Sequence, residues 1–164
     1  MESTDSGGRI ELLVIGYGNS LRGDDSVGPR VAEAIENLKQ PGVRAVSCTL
    51  LTPELASAIS QASKVVFVDA TVERVSEVEL RELLPAKISQ VFAHAPEPAT
   101  LLAMARDLFG HAPEAWCLGI PVQNMDVGEE LSALAKRGMG VATQRIQEFA
   151  RGEKNPKAEG RNPK

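Results

Sequence analysis

Near the middle of the chain, Lys64–Ala70 reads KVVFVDA, an almost unbroken apolar run rich in β-branched residues that ends on an aspartate. A run this short and continuous suits a strand covered on both faces, which a sheet with helices on both sides provides. The remaining pattern agrees. Ile10–Ile15 is a second buried strand by composition. Val27, Val31, Ile35 and Leu38 recur at helical spacing, and Gly42 closes that element. Val43–Cys48 reads as a strand, and Thr52-Pro53 as an N-cap with proline at the first helical position, opening a short helix to Ser60. Glu77–Glu82 alternates Val78 and Leu80 with acids, as an edge strand does. Pro98 opens a helix, Trp116–Val122 forms the last strand, and a long final helix is expected from Gly128 onward, weakened by Gly138 and Gly140. The alternation predicts an α/β three-layer sandwich: an open, mostly parallel, five-stranded twisted sheet with helices on both faces.

A chain of 164 residues is long enough for one domain to bury a core without metal or disulfide staples. That domain is expected over residues 10–151, between an unstructured start at 1–9 and a basic, Gly/Pro/Asn-rich tail at 152–164. The polar, acidic opening MESTDSGGR is no signal peptide, and no apolar run reaches membrane-spanning length. Cys48 and Cys117 lie in apolar strand contexts and read as buried free thiols, which with the missing leader suits the cytoplasm. A net charge of −4 gives no general attraction to nucleic acid.

Chemistry concentrates where strands end. Val14–Gly28, VIGYGNSLRGDDSVG, runs from an apolar strand into a glycine turn and then two adjacent aspartates, Asp24 and Asp25. Asp69 stands at the tip of the central run, and His94 in the loop between Pro85 and Pro98. Parallel strands align their carboxyl ends, so Asp25, Asp69 and His94 are placed to converge there. Two carboxylates and an imidazole suit a first-row divalent metal with open positions. Each also has an ordinary alternative, since aspartates cap helices and loop histidines often face water. One capping role would not occupy both Asp24 and Asp25. A dinucleotide site is a rival, but the third glycine, Gly23, comes too late for the usual spacing, and Cys48-Thr49 stands where an acid should hold a ribose. A cysteine hydrolase pairing Cys48 with His94 is another, although no helix start follows Cys48 directly to lower its pKa.

These residues resemble, in order, the motifs of the hydrogenase maturation proteases, the endopeptidases that trim the large subunit of nickel–iron hydrogenases. Gly16-Tyr17-Gly18-Asn19 with Asp24-Asp25 and Gly28 is similar to the family's opening signature. Asp69 in VVFVDA and His94 ahead of Leu101-Leu102 match its second and third positions, and Gly119-Ile120-Pro121 with Gly128 and Leu131-Ser132 its last. Where many relatives carry a Gly-Gly turn, this chain has Leu51-Thr52-Pro53-Glu54, which resembles a subgroup tied to bidirectional or cofactor-linked soluble hydrogenases. The Gln that often follows the histidine is absent.

The resemblance implies an aspartic-type, nickel-dependent peptidase that removes the C-terminal peptide of the precursor after nickel insertion. It implies that Asp25, Asp69 and His94 are the catalytic residues and engage nickel supplied by the substrate, the enzyme holding no tightly bound metal of its own. Gly16, Gly18, Asn19 and Asp24 would lie against the substrate, Asp24 otherwise supporting a ligand or the helix start. The partner would be the large-subunit precursor, with the enzyme a monomer that binds neither nucleic acid nor membrane. A non-catalytic binder of the nickel precursor is the alternative.

Overall fold

The computed structural model describes residues 8–72, 76–87 and 96–153. Five strands form one sheet: β1 (Ile10–Tyr17), β2 (Val43–Cys48), β3 (Ala62–Thr71), β4 (Glu79–Leu83) and β5 (Glu114–Pro121). Their order across the sheet is β2-β1-β3-β5-β4, with all neighbours parallel except the edge strand β4, which runs antiparallel to β5. The helices are α1 (Val27–Asn37), α2 (Leu55–Ser60), α3 (Pro98–Phe109) and α4 (Ala133–Ala150). This is the predicted three-layer arrangement.

The central strands explain it. Along β3, Val66 and Val68 point into one core with Val27, Val31 and Ile35 of α1 and Ala142 and Ile146 of α4. Val65 and Phe67 point into the other, with Ile59 of α2 and Leu101, Leu102 and Ala105 of α3. In β1, Leu12 and Val14 serve the first core, Leu13 and Ile15 the second. A buried side chain of this kind stabilises by about 1.5–3 kcal/mol, and strands that bury residues on both faces have no solvent side to keep polar.

Two differences from the sequence reading have local causes. The last helix begins at Ala133, not Gly128: Gly128 sits at φ 138, in a region that favours glycine, and Ser132 is the N-cap, its hydroxyl accepting from the Ala135 amide at 3.1 Å. The second helix begins at Leu55, with Glu54 and not Thr52 at its cap; the Thr52 carbonyl accepts from the Leu55 amide in a preceding turn. The termini expected to be unstructured fall largely outside the described residues. Among the described residues no helix is long and apolar enough to cross a membrane.

Candidate active site

The chain leaves β1 for β2 on one side and later returns to β3 on the other, so the crossovers diverge between β1 and β3. Open α/β sheets bind ligands at the carboxyl end of such a switch point. Asp25 follows β1 in a short 3-10 turn, Gly23–Ser26, and Asp69 is near the end of β3. The topology thus brings two of the three predicted residues together. His94 lies outside the described residues, so its place in the site rests on the sequence.

Asp25 is held by its own loop. The Asn19 amide donates to its carboxylate at 2.8 Å, while the Asn19 side chain accepts from Leu21 N–H at 2.9 Å. Asn19, expected against substrate, is therefore engaged within the loop. Its amide fixes the carboxylate, and its own side chain fixes the turn that presents that amide.

The glycines also turn inward. A Cβ on Gly16 would stand 2.0 Å from the Gly28 carbonyl oxygen, and one on Gly18 2.0 Å from that of Asp25. The room they leave is filled by the chain's own backbone at the start of α1 and in the 3-10 turn, not by a passing substrate as expected. Packing α1 this tightly against β1 sets Asp25 at the switch point. It also closes the cradle that a pyrophosphate would need, which removes the main attraction of the dinucleotide reading.

Asp24 is corrected most sharply. Its side chain, expected against substrate, has no exposure. Its carboxylate accepts from the amides of Gln123 (2.9 Å), Asn124 (2.9 Å) and Ser132 (2.7 Å), and from the Ser132 hydroxyl (2.6 Å). Burial works against its charge, but the Ser132 hydroxyl and the three amides outweigh that and hold its pKa below the ordinary carboxylate value. Asp24 also donates its own amide to Asn124 O at 2.7 Å, and Gly23 donates to Gly128 O at 2.8 Å. The two adjacent acids divide the work: Asp24 ties the turn to the β5–α4 loop, and Asp25 stays half-buried at the sheet's edge.

Asp69 occupies the opposite environment. Its carboxyl is pushed up to about 6, chiefly by burial and further by the charge of Asp25, against hydrogen bonds from the Tyr17 hydroxyl and the Ala70 amide. It lies in a cleft of about 700 Å³ with Tyr17, Leu51, Phe67, Cys117 and Gly119 among its walls. Gly119 is the register partner of Asp69 on β5, so no side chain crowds the carboxylate from that neighbour. Tyr17 is the residue that sequence reasoning missed. Its only signal was its position inside the Gly-x-Gly turn.

Neither thiol is primed as a nucleophile. Burial raises the pKa of Cys48, and burial with the charge of Asp69 pushes Cys117 up to about 11 against the pull of Arg81. Both stay protonated at neutral pH, which counts against a cysteine hydrolase. Among the described residues no three His, Cys, Asp or Glu side chains form a ready metal cage.

No protein-family model matches the chain. No curated protein matches it either. Solved structures do. The NiFe hydrogenase maturation protease HycI from Thermococcus kodakarensis KOD1 superposes with a TM-score of 0.69 at 24% identity, over 88% of this chain and 94% of that one. The hydrogenase maturating endopeptidase HybD from E. coli gives 0.68 at 18% identity, over 87% and 93%. The maturation protease HybD from Thermococcus kodakarensis gives 0.63 at 22%, over 85% and 99%. The chain shares the fold of the hydrogenase maturation proteases across most of its length.

Proposed function

We propose that this protein is an endopeptidase that removes the C-terminal peptide from the large-subunit precursor of a nickel–iron hydrogenase once nickel is in place. The observation that carries the reading is the pair Asp25 and Asp69. Two like charges are held within electrostatic reach of one another at a switch point, on a fold shared with maturation proteases. Bringing carboxylates together costs free energy unless a cation relieves it, so the pair suits a substrate that delivers one.

In this reading the cation is nickel seated among the precursor's cysteines, and it arrives as part of the substrate. Asp25 and Asp69, with His94 as the third residue that the resemblance implies, complete its coordination. Carboxylate and imidazole donors are harder than thiolates, so these three residues add to a thiolate-bound nickel and hold little metal alone. Docking in this way orients the scissile segment in the cleft beside Asp69. Coordinated nickel supplies a Lewis acid to polarise the carbonyl or to lower the pKa of a bound water. Burial and the charge of Asp25 raise the carboxyl of Asp69 to about 6 while no cation is near, and an arriving cation favours its ionised, ligating form.

The test mixes purified enzyme with nickel-loaded and nickel-free precursor, no metal added, and follows the large subunit by mass spectrometry. Cleavage of the loaded form alone is expected, with Asp25→Ala, Asp69→Ala and His94→Ala each folded and at least 100-fold slower, on the order of removing a principal catalytic group. Equal cleavage of both precursors overturns the nickel-reading mechanism. Tight binding without cleavage makes the protein a non-catalytic binder.

A further inference from the structure

Tyr17 is the last residue of β1, and the sheet fixes where it points. Gly16 pairs with Val68 on β3, and Tyr17 itself pairs with Cys48 on β2. One step along the parallel register, Tyr17 stands beside Asp69, both on the face that α2 and α3 cover. Tyr17 and Asp69 line the same cleft, and the phenol and the carboxyl interact there. The flanking glycines explain how a bulky ring fits at this point, because Gly16 and Gly18 carry the close backbone approach and leave Tyr17 free for the cleft.

We propose that Tyr17 is a positioning residue for the reaction described above: its hydroxyl donates to Asp69 and holds that carboxylate in the one orientation from which it meets the substrate's metal. The inference rests on the nickel-reading function and adds a residue to it. A carboxylate at a strand's end retains freedom about its side-chain torsions, and a single well-placed donor removes that freedom before substrate arrives. Groups that orient a metal ligand in this way typically carry 10- to 100-fold in affinity or activity. A phenol keeps its proton at neutral pH, so the hydroxyl is available as a donor. It orients a reacting group and does not exchange protons itself.

Tyr17→Phe removes one oxygen and keeps the ring's apolar contacts, so its melting temperature stays within a few degrees of the parent. The full-length variant is assayed for cleavage, and for affinity toward nickel-loaded and nickel-free precursor by calorimetry. The expected result is a 10- to 100-fold loss in kcat/KM and weaker binding of the loaded precursor alone, with affinity for the nickel-free form within about twofold. In an Asp69→Ala background, Tyr17→Phe should change the affinity for loaded precursor by less than about twofold, since its partner is gone. Parent-like cleavage overturns the proposal, as does equal weakening toward both precursors, the mark of a merely structural role. Where the parent itself makes no distinction between the two precursors, the functional reading fails and this inference with it.

Discussion

Asp24 and Asp69 are the same residue type in opposed electrostatic settings, and their titrations should pull stability in opposite directions. Asp24 has a depressed pKa. Its contribution is present above the ordinary carboxylate range and is lost as pH falls through its lowered value, in the acid region below about pH 4. Asp69 has a raised pKa, about 6 in the fold. There the folded state keeps a proton that the unfolded chain has released, so its contribution is full below about pH 4 and is lost as pH rises toward 6. We predict that Asp69→Asn stabilises the protein at pH 7 by about 1 kcal/mol after allowance for solvent screening. Urea unfolding between pH 4 and 7 should show the parent losing stability across that window and the variant holding it. A parent-like slope in Asp69→Asn would mean that the carboxyl is not strained by its surroundings. A residue that stabilises the fold when neutralised is being kept charged for another reason, and substrate binding supplies one.

At the scale of elements, the two glycines of α4 separate by what stands opposite them. A Cβ at Gly138 would meet Ile120 Cγ2 at 2.6 Å, whereas at Gly140 nothing lies within 4 Å. Gly140→Ala should therefore raise stability by roughly 0.5–1 kcal/mol through helix propensity, and Gly138→Ala should lower it by roughly 1–3 kcal/mol through overpacking against β5. Thermal unfolding of the two variants checks this, and equal effects would show that α4 does not seat on Ile120. The sequence made both glycines look alike, as weak points in a helix, because the contact that distinguishes them comes from another element. The same limit governs the site. β2 and the start of α3 at Pro98 were legible to the residue, since apolar period and proline placement are local signals. The role of Asp24 was not, because its acceptors' partners, Gln123, Asn124 and Ser132, lie about 100 positions away in sequence. The start of α4 was hidden for a related reason: the segment ahead of Ser132 is held by tertiary bonds to the turn after β1, with Gly128 N–H donating to Leu21 O at 2.8 Å.

For the whole molecule, the strand order places the candidate site on its most buried elements. β1 and β3 are interior strands, and Leu13, Val14, Ile15, Val65, Val66, Phe67 and Val68 are each at most 1% exposed. β4 lies at the edge and β2 at the other, and neither contributes a residue to the fully buried core. Asp25 and Asp69 thus hang from the most buried strands of the sheet, while the cleft beside Asp69 is walled in part by the edge strand β4, with Glu79, Arg81 and Leu83. This division suits a reaction that needs two carboxylates held at fixed separation while a protein substrate is admitted and released. Native-state hydrogen exchange should resolve it. Amides of β1 and β3, up to Gly16 and Val68, should exchange only by global unfolding, and those of β4 through local opening at lower free energy. Exchange of β3 as fast as that of β4 would break the argument. It would mean that the carboxylate pair rides on a mobile strand, and that its geometry is set by the substrate and not by the fold.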